Sequence, residues 1–134
     1  RSAILVNIAN QLSTIKSDLD KENRILNDSD LKDTFGVADF TSLNNFKQAN
    51  DKVQALLDKA NASFDVAQVY KSDDNIYQAV LDVTAASNQN IICKIKCFFL
   101  ERILQNKCLF HLFRKDNLRF SKQIHACVKQ LYRH

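Results

Sequence analysis

Thiols and imidazoles are the groups of this chain whose spacing could make a zinc site, an activated nucleophile or a cross-link. All of them, Cys93, Cys97, Cys108, Cys127, His111, His125 and His134, lie within residues 93–134. Cys93 and Cys97 are one helical turn apart, so their thiols point the same way and cannot readily bond each other. An even number of cysteines in a short chain predicts two disulfides formed in an oxidising compartment. Two connectivities then remain, Cys93–Cys108 with Cys97–Cys127 or Cys93–Cys127 with Cys97–Cys108, and spacing does not choose between them. Either would fasten later segments to a central helix, each bridge contributing about 2 to 4 kcal/mol. The rival chemistry is zinc held by Cys93, Cys97, Cys108 and His111. That set leaves Cys127 over, and the bulky Phe98, Phe99 and Phe110 between the ligands look like core, so no metal site is assigned.

Catalysis has little to work with. There is no Gly-x-Ser-x-Gly, no His-Glu-x-x-His and no glycine-rich phosphate loop. His125 stands two residues before Cys127, but on a paired helix it reads as a surface or half-buried histidine rather than the base of a reactive thiol. No catalytic residue and no cofactor are assigned, and the chain is read as not an enzyme.

Charge points to binding instead. Residues 93–134 carry ten of the nineteen Lys and Arg but two of the fifteen Asp and Glu, a balance of +8 (10 − 2) against −4 (9 − 13) for the preceding residues. Such a face suits acidic protein surfaces or polyanions. Arg114, Lys115, Arg119 and Lys122 are the expected partner contacts. The interleaved Phe98, Phe99, Phe110, Phe113 and Phe120 are spaced as core residues, so they are not read as a stacking platform for nucleic acid. The longest apolar run of the basic segment, residues 97–100, is far too short to enter a bilayer as a span.

The elements that must position these groups are helical. The chain has 134 residues, no proline and the single glycine Gly36, so tight turns and strand connections have almost no material to form from. One domain over residues 1–134 is expected. The chain also lacks methionine, which predicts removal of a leader before Arg1 and hence secretion.

Leu5, Ile8, Leu12, Ile15, Leu19 and Leu26, with Glu22 in the remaining position, predict one long amphipathic helix over residues 3–26. Residues 27–40 read as a loop with a helical turn. Thr41 would cap a second helix burying Leu43, Phe46, Val53, Leu56, Leu57 and Ala60. Ser72, Asp73 and Asp74 mark the start of a third helix, which would bury Ile76, Tyr77, Val80, Leu81 and Val83. A weaker break at residues 87–90 separates it from residues 91–104, apolar nearly all round and therefore expected in the middle of the protein. A short segment follows Asn106 and Lys107. A last helix starts at Asp116 or Asn117 and turns Phe120, Ile124, Cys127, Val128 and Leu131 inward. The predicted fold is all-α, an irregular disulfide-stapled bundle of about six to eight helices.

The Cys93-x3-Cys97 pair resembles the helical cysteine pair of insect odorant-binding proteins. That family carries six cysteines with one well before the pair, and here none precedes Cys93. A carrier of small lipophilic ligands is nevertheless one alternative. A wider resemblance covers most of the chain: proline-free and helical, an early leucine stripe, four cysteines confined to the last third, the stretch IICKIKCFFLERILQNKCLFHLFRKD and the ending HACVKQLYRH. In these features the chain is similar to the small anopheline mosquito salivary proteins that include anophensin and albicin. The resemblance implies a secreted inhibitor of host defence without catalysis. Its expected partner is a host plasma protein complex, the alternative pathway convertase of complement first, with contact activation of the kallikrein-kinin system and polyanionic surfaces as alternatives. It transfers no functional residue.

Overall fold

The computed structural model describes residues 2–27 and 40–114, with the backbone alone for Phe40 and residues 104–114. The described residues form three helices: α1 (Ser2–Leu26), α2 (Phe40–Val69) and α3 (Asp73–Arg114). The all-α expectation holds, but the number and length of the helices do not.

The α2–α3 connection is built from three residues. At the end of α2 the Tyr70 carbonyl accepts from the Ser72 amide at 2.8 Å and from Asn75 Nδ2 at 2.9 Å. At the start of α3, Ser72 Oγ accepts from the Asn75 amide at 3.2 Å, an N-cap that satisfies one of the free amides of the first turn. Asp73 and Asp74 occupy that turn, where negative charge faces the positive end of the helix dipole. The chain therefore reverses, and α2 and α3 form an antiparallel hairpin. Ala49, Ala60 and Ala67 of α2 and Ala79 and Ala86 of α3 are buried along it, small side chains that let the two backbones approach.

Helix α1 lies across both. Its contacts advance along α3 in the same direction, Gln11 with Ser87, Asp18 with Asn90 and Glu22 with Cys93, so α1 runs parallel to α3 and antiparallel to α2. The core common to all three holds Ile8, Ile15 and Leu19 of α1, Phe46 and Val53 of α2, and Val83 of α3, each fully shielded. Burying one such side chain is worth about 1.5 to 3 kcal/mol relative to exposure. The buried positions alternate by three and four along every helix, 8-12-15-19 on α1, 46-50-53-57-60 on α2 and 76-79-83-86-90-93-97-100 on α3, the spacing of a coiled-coil seam.

Several expectations are corrected here. Among the described residues, three long helices stand where more and shorter ones were expected, because Ser87 and Asn90, read as part of a break, serve as interface residues instead. Ser87 Oγ donates to Gln11 Oε1 at 3.3 Å and Asn90 Nδ2 to Asp18 Oδ2 at 2.9 Å. With neither glycine nor proline nearby, α3 passes through residues 87–90 and 106–107 without interruption. Thr41 lies inside α2 rather than capping it, since the helix begins at Phe40. Tyr77 and Leu81 face outward, not inward.

The disulfide staples are corrected as well. Cys93 and Cys97 are free thiols, both buried. Each predicted connectivity joins Cys108 to one of them, yet all three lie on the single helix α3. At 1.5 Å per residue, Cys108 is about 22 Å from Cys93 and about 16 Å from Cys97, whereas a disulfide needs α-carbons within about 7 Å. The predicted loop at residues 28–39 and the last helix with Cys127 lie outside the described residues.

Candidate functional site: a buried polar layer and an outward-facing stripe

The seam between α1 and α3 is polar where a bundle core is ordinarily apolar. Glu22 and Asn90 are each about 5% exposed or less, Asn50 enters from α2, and Cys93 is wholly buried. Cys93 Sγ donates to Glu22 Oε2 at 2.7 Å. One turn earlier on α1, Asp18 Oδ2 accepts from Asn90 Nδ2 and from Lys94 Nζ, the latter at 2.9 Å. Three atoms of this layer have no partner in good hydrogen-bonding geometry, Glu22 Oε1, Asn50 Nδ2 and Asn90 Oδ1, although the Asn50 amide is near enough to Glu22 to favour its charged form. Burial raises the Glu22 carboxyl above its ordinary range, and the nearby Asp18 charge adds to this. The Cys93 thiol, the Asn50 amide and Lys94 pull the other way without overcoming it.

The pairing of a thiol with a carboxylate invites a catalytic reading, which the electrostatics oppose. Burial first, then the hydrogen bond to Glu22 and its negative charge, drive the Cys93 pKa upward, far from the thiolate needed for attack. Cys97 is pushed up to about 12, chiefly by burial, with Glu101 and Glu22 adding. Both thiols act as small core side chains, Cys93 with a hydrogen bond to give.

A second polar knot ties α2 to α3. Asp82, almost fully buried, accepts from Ser63 Oγ and from Gln78 Nε2, the latter at 3.0 Å, and lies 3.8 Å from Lys59 Nζ. Its hydrogen bonds compensate its removal from water, so it reads as structure.

The outside of α3 is the more unusual surface. Residues 91–104 were expected in the middle because they are apolar nearly all round. Instead α3 carries two apolar faces, one turned to the core through Cys93, Cys97 and Leu100, the other to solvent. Phe98 and Phe99, expected as core, are 57% and 60% exposed and meet edge to face with ring centroids 6.1 Å apart. Ile91, Ile92 and Ile95 are exposed beside them, with Lys96 and Arg102 on the same outer part of the helix.

Of the expected partner contacts, Arg114 is the last residue of α3 with its side chain outside the description, and Lys115, Arg119 and Lys122 lie outside the described residues. So do the side chains of Cys108 and His111 and the whole of Cys127, His125 and His134. The zinc alternative fails on distance, since Cys93 and Cys108 on one helix are about 22 Å apart and cannot share an ion. Among the described residues, no group of three or more His, Cys, Asp or Glu side chains could hold a metal. None of the helices is long and apolar enough there to cross a membrane.

Two clefts open at the edges of the bundle. One of about 350 Å³ lies between the start of α1 and the end of α2, against Leu5, Val6, Ala9 and Phe64. The other, of about 490 Å³, is lined by asparagines, including Asn23, Asn44 and Asn50, together with Leu26, Leu43, Lys47 and Asp51. Both are open to solvent, unlike the enclosed apolar chamber expected of a lipid carrier.

The buried polar layer was only partly legible in the sequence. Glu22 stood out as the odd member of the α1 stripe, but its partners Asn90 and Cys93 were read as a helix break and a disulfide. The outer stripe was missed, although exposed residues at steps of three and four from Tyr77 onward carried the signal. No protein-family model, no curated protein and no solved structure matches this chain.

Proposed function

We propose that this chain is a secreted, non-catalytic inhibitor of host defence that binds an assembled protein complex, the alternative pathway convertase of complement, and blocks it by occupying its surface. The reading rests on the resemblance to anopheline salivary proteins and on one structural observation, the overhang of α3. Helix α3 has 42 residues and α2 has 30, about 63 Å against about 45 Å. In an antiparallel hairpin the last turns of α3 therefore run on past the start of α2. That end of α3 carries Arg102, Lys107 and Arg114 in its sequence, and the residues that follow continue the most basic part of the chain. A rigid support presenting concentrated charge suits recognition of an acidic protein face, where charge sets encounter rate and specificity.

The test is an alternative-pathway haemolysis assay with purified chain, together with binding to preassembled convertase and to its separate components. Dose-dependent protection and preference for the assembled complex are expected. Full lysis at micromolar chain would remove this reading. Inhibition of surface-triggered kallikrein generation without protection from lysis would move the target to contact activation.

A further inference from the structure

The outward face of α3 has a regular order that neither the core nor the proposed function uses. Stepping by four and three from Tyr77 reaches Leu81, Thr84, Asn88, Ile91, Ile95, Phe98 and Arg102, and every one of these positions is exposed. This is an unbroken heptad seam of the kind two helices share, running along the side of α3 opposite Val83, Asn90, Cys93 and Leu100. Ile92 and Phe99 widen it at its basic end. Its apolar members are among the most exposed large side chains of the protein, Tyr77 at 64% and Phe98 at 57%. Together they leave on the order of 800 Å² open to water, about what one partner contributes to a stable protein interface.

We propose that this seam is closed by a second copy of the chain, packed antiparallel about a two-fold axis between residues 89 and 90. In that register the seam covers itself from end to end. Leu81 meets Phe98 of the other copy, Thr84 meets Ile95, Asn88 meets Ile91, and the Tyr77 ring lies against the Arg102 guanidinium, a cation–π contact.

Charge selects the same direction. Asp74 stands at one end of the seam and Lys96 and Arg102 at the other, all exposed, so antiparallel packing brings opposite charges together and parallel packing brings like charges together. Asn88, the one amide of the seam, lies beside the axis, where a polar residue fixes register. A two-fold contact of this kind closes on itself and leaves no edge for further addition.

The experiment is sedimentation equilibrium on the full chain at micromolar concentration, with three variants whose substitutions all point to solvent. The unaltered chain is expected at twice 15.4 kDa. Leu81→Glu and Phe98→Lys are each expected to sediment as monomers with unchanged helical circular dichroism. The double variant L81E/F98K places opposite charges across the antiparallel contact and is expected to recover the dimer. An unaltered chain that stays monomeric overturns the proposal. So do single variants that remain dimeric, and so does a double variant that fails to recover, which would exclude this register. Dimer formation is read by mass alone, so its failure leaves the inhibitory activity to be judged by the haemolysis assay.

Discussion

The Cys93 thiol donates to Glu22 Oε2 at 2.7 Å while the other oxygen of the same carboxylate, Oε1, has no partner in good hydrogen-bonding geometry. One buried acid is thus half satisfied, between Asp18 on its own helix, Cys93, Cys97 and Lys94 on α3, and the Asn50 amide on α2. Its folded pKa is raised above the ordinary 4.5, so the folded state favours the neutral form. The stability tied to that preference is complete below the unfolded pKa and is lost as pH rises through the folded one. Glu22→Gln, neutral throughout, is therefore expected to be more stable than the parent at neutral pH by about 1 kcal/mol, the scale of one unsatisfied buried polar group. Urea midpoints measured from neutral to acid pH should show the two converging as Glu22 takes up its proton.

The donor side of the same contact is separately testable. Cys93→Ala removes the hydrogen bond and leaves both Glu22 oxygens without a well-placed donor, an expected loss of about 1 to 3 kcal/mol in denaturant unfolding at neutral pH. Cys93→Ser keeps a donor of similar size and should lose less. Equal losses from the two variants would mean that packing, not the hydrogen bond, gives Cys93 its value.

Thiol chemistry provides a check on helix packing. Cys93 and Cys97 are buried and their pKa values are raised, Cys97 to about 12, so little thiolate exists in mild alkali. Alkylation by iodoacetamide at pH 8 should be slow at both in the native protein and fast in guanidinium, as read by peptide mass mapping. Rapid native labelling of Cys93 would contradict its placement against Glu22.

Ser72 caps the start of α3 in the hairpin turn. Ser72→Ala removes the oxygen that accepts from the Asn75 amide and should cost about 1 kcal/mol by thermal or urea unfolding. Ser72→Asp can still accept there and also carries charge toward the helix dipole, so it should restore most of that loss.

Helix existence was readable from spacing alone. Ile8, Leu12, Ile15 and Leu19 defined α1, and the Ser72, Asp73 and Asp74 group marked the start of α3, because local periodicity and capping act within one element. Helix length was not readable. Ser87 and Asn90 have the composition of a break, and only a facing Gln11 and Asp18 on a distant segment make them interface residues. The two faces of α3 failed for a related reason. An apolar surface nearly all round is compatible both with a fully buried helix and with one that has a core side and a binding side. Ile95 and Phe98 could not be assigned until α1 and α2 were seen to occupy only the opposite side. The cysteines misled because pairing was judged from separation along the chain, whereas one uninterrupted helix holds Cys93 and Cys108 rigidly apart.

The three-residue link between α2 and α3 also has a consequence in time. Closing so short a connection loses little chain entropy, so the hairpin is the cheapest long contact the chain can make, and α1 joins it over longer separations, 28 residues from Glu22 to Asn50 and 76 from Gln11 to Ser87. Helical bundles with mostly local contacts fold in microseconds to milliseconds. With no proline anywhere in the chain, no isomerising peptide bond stands ready to add a phase of tens of seconds. Refolding should then be a rapid collapse of the hairpin followed by the seating of α1, and any slow step would report events between chains rather than within one.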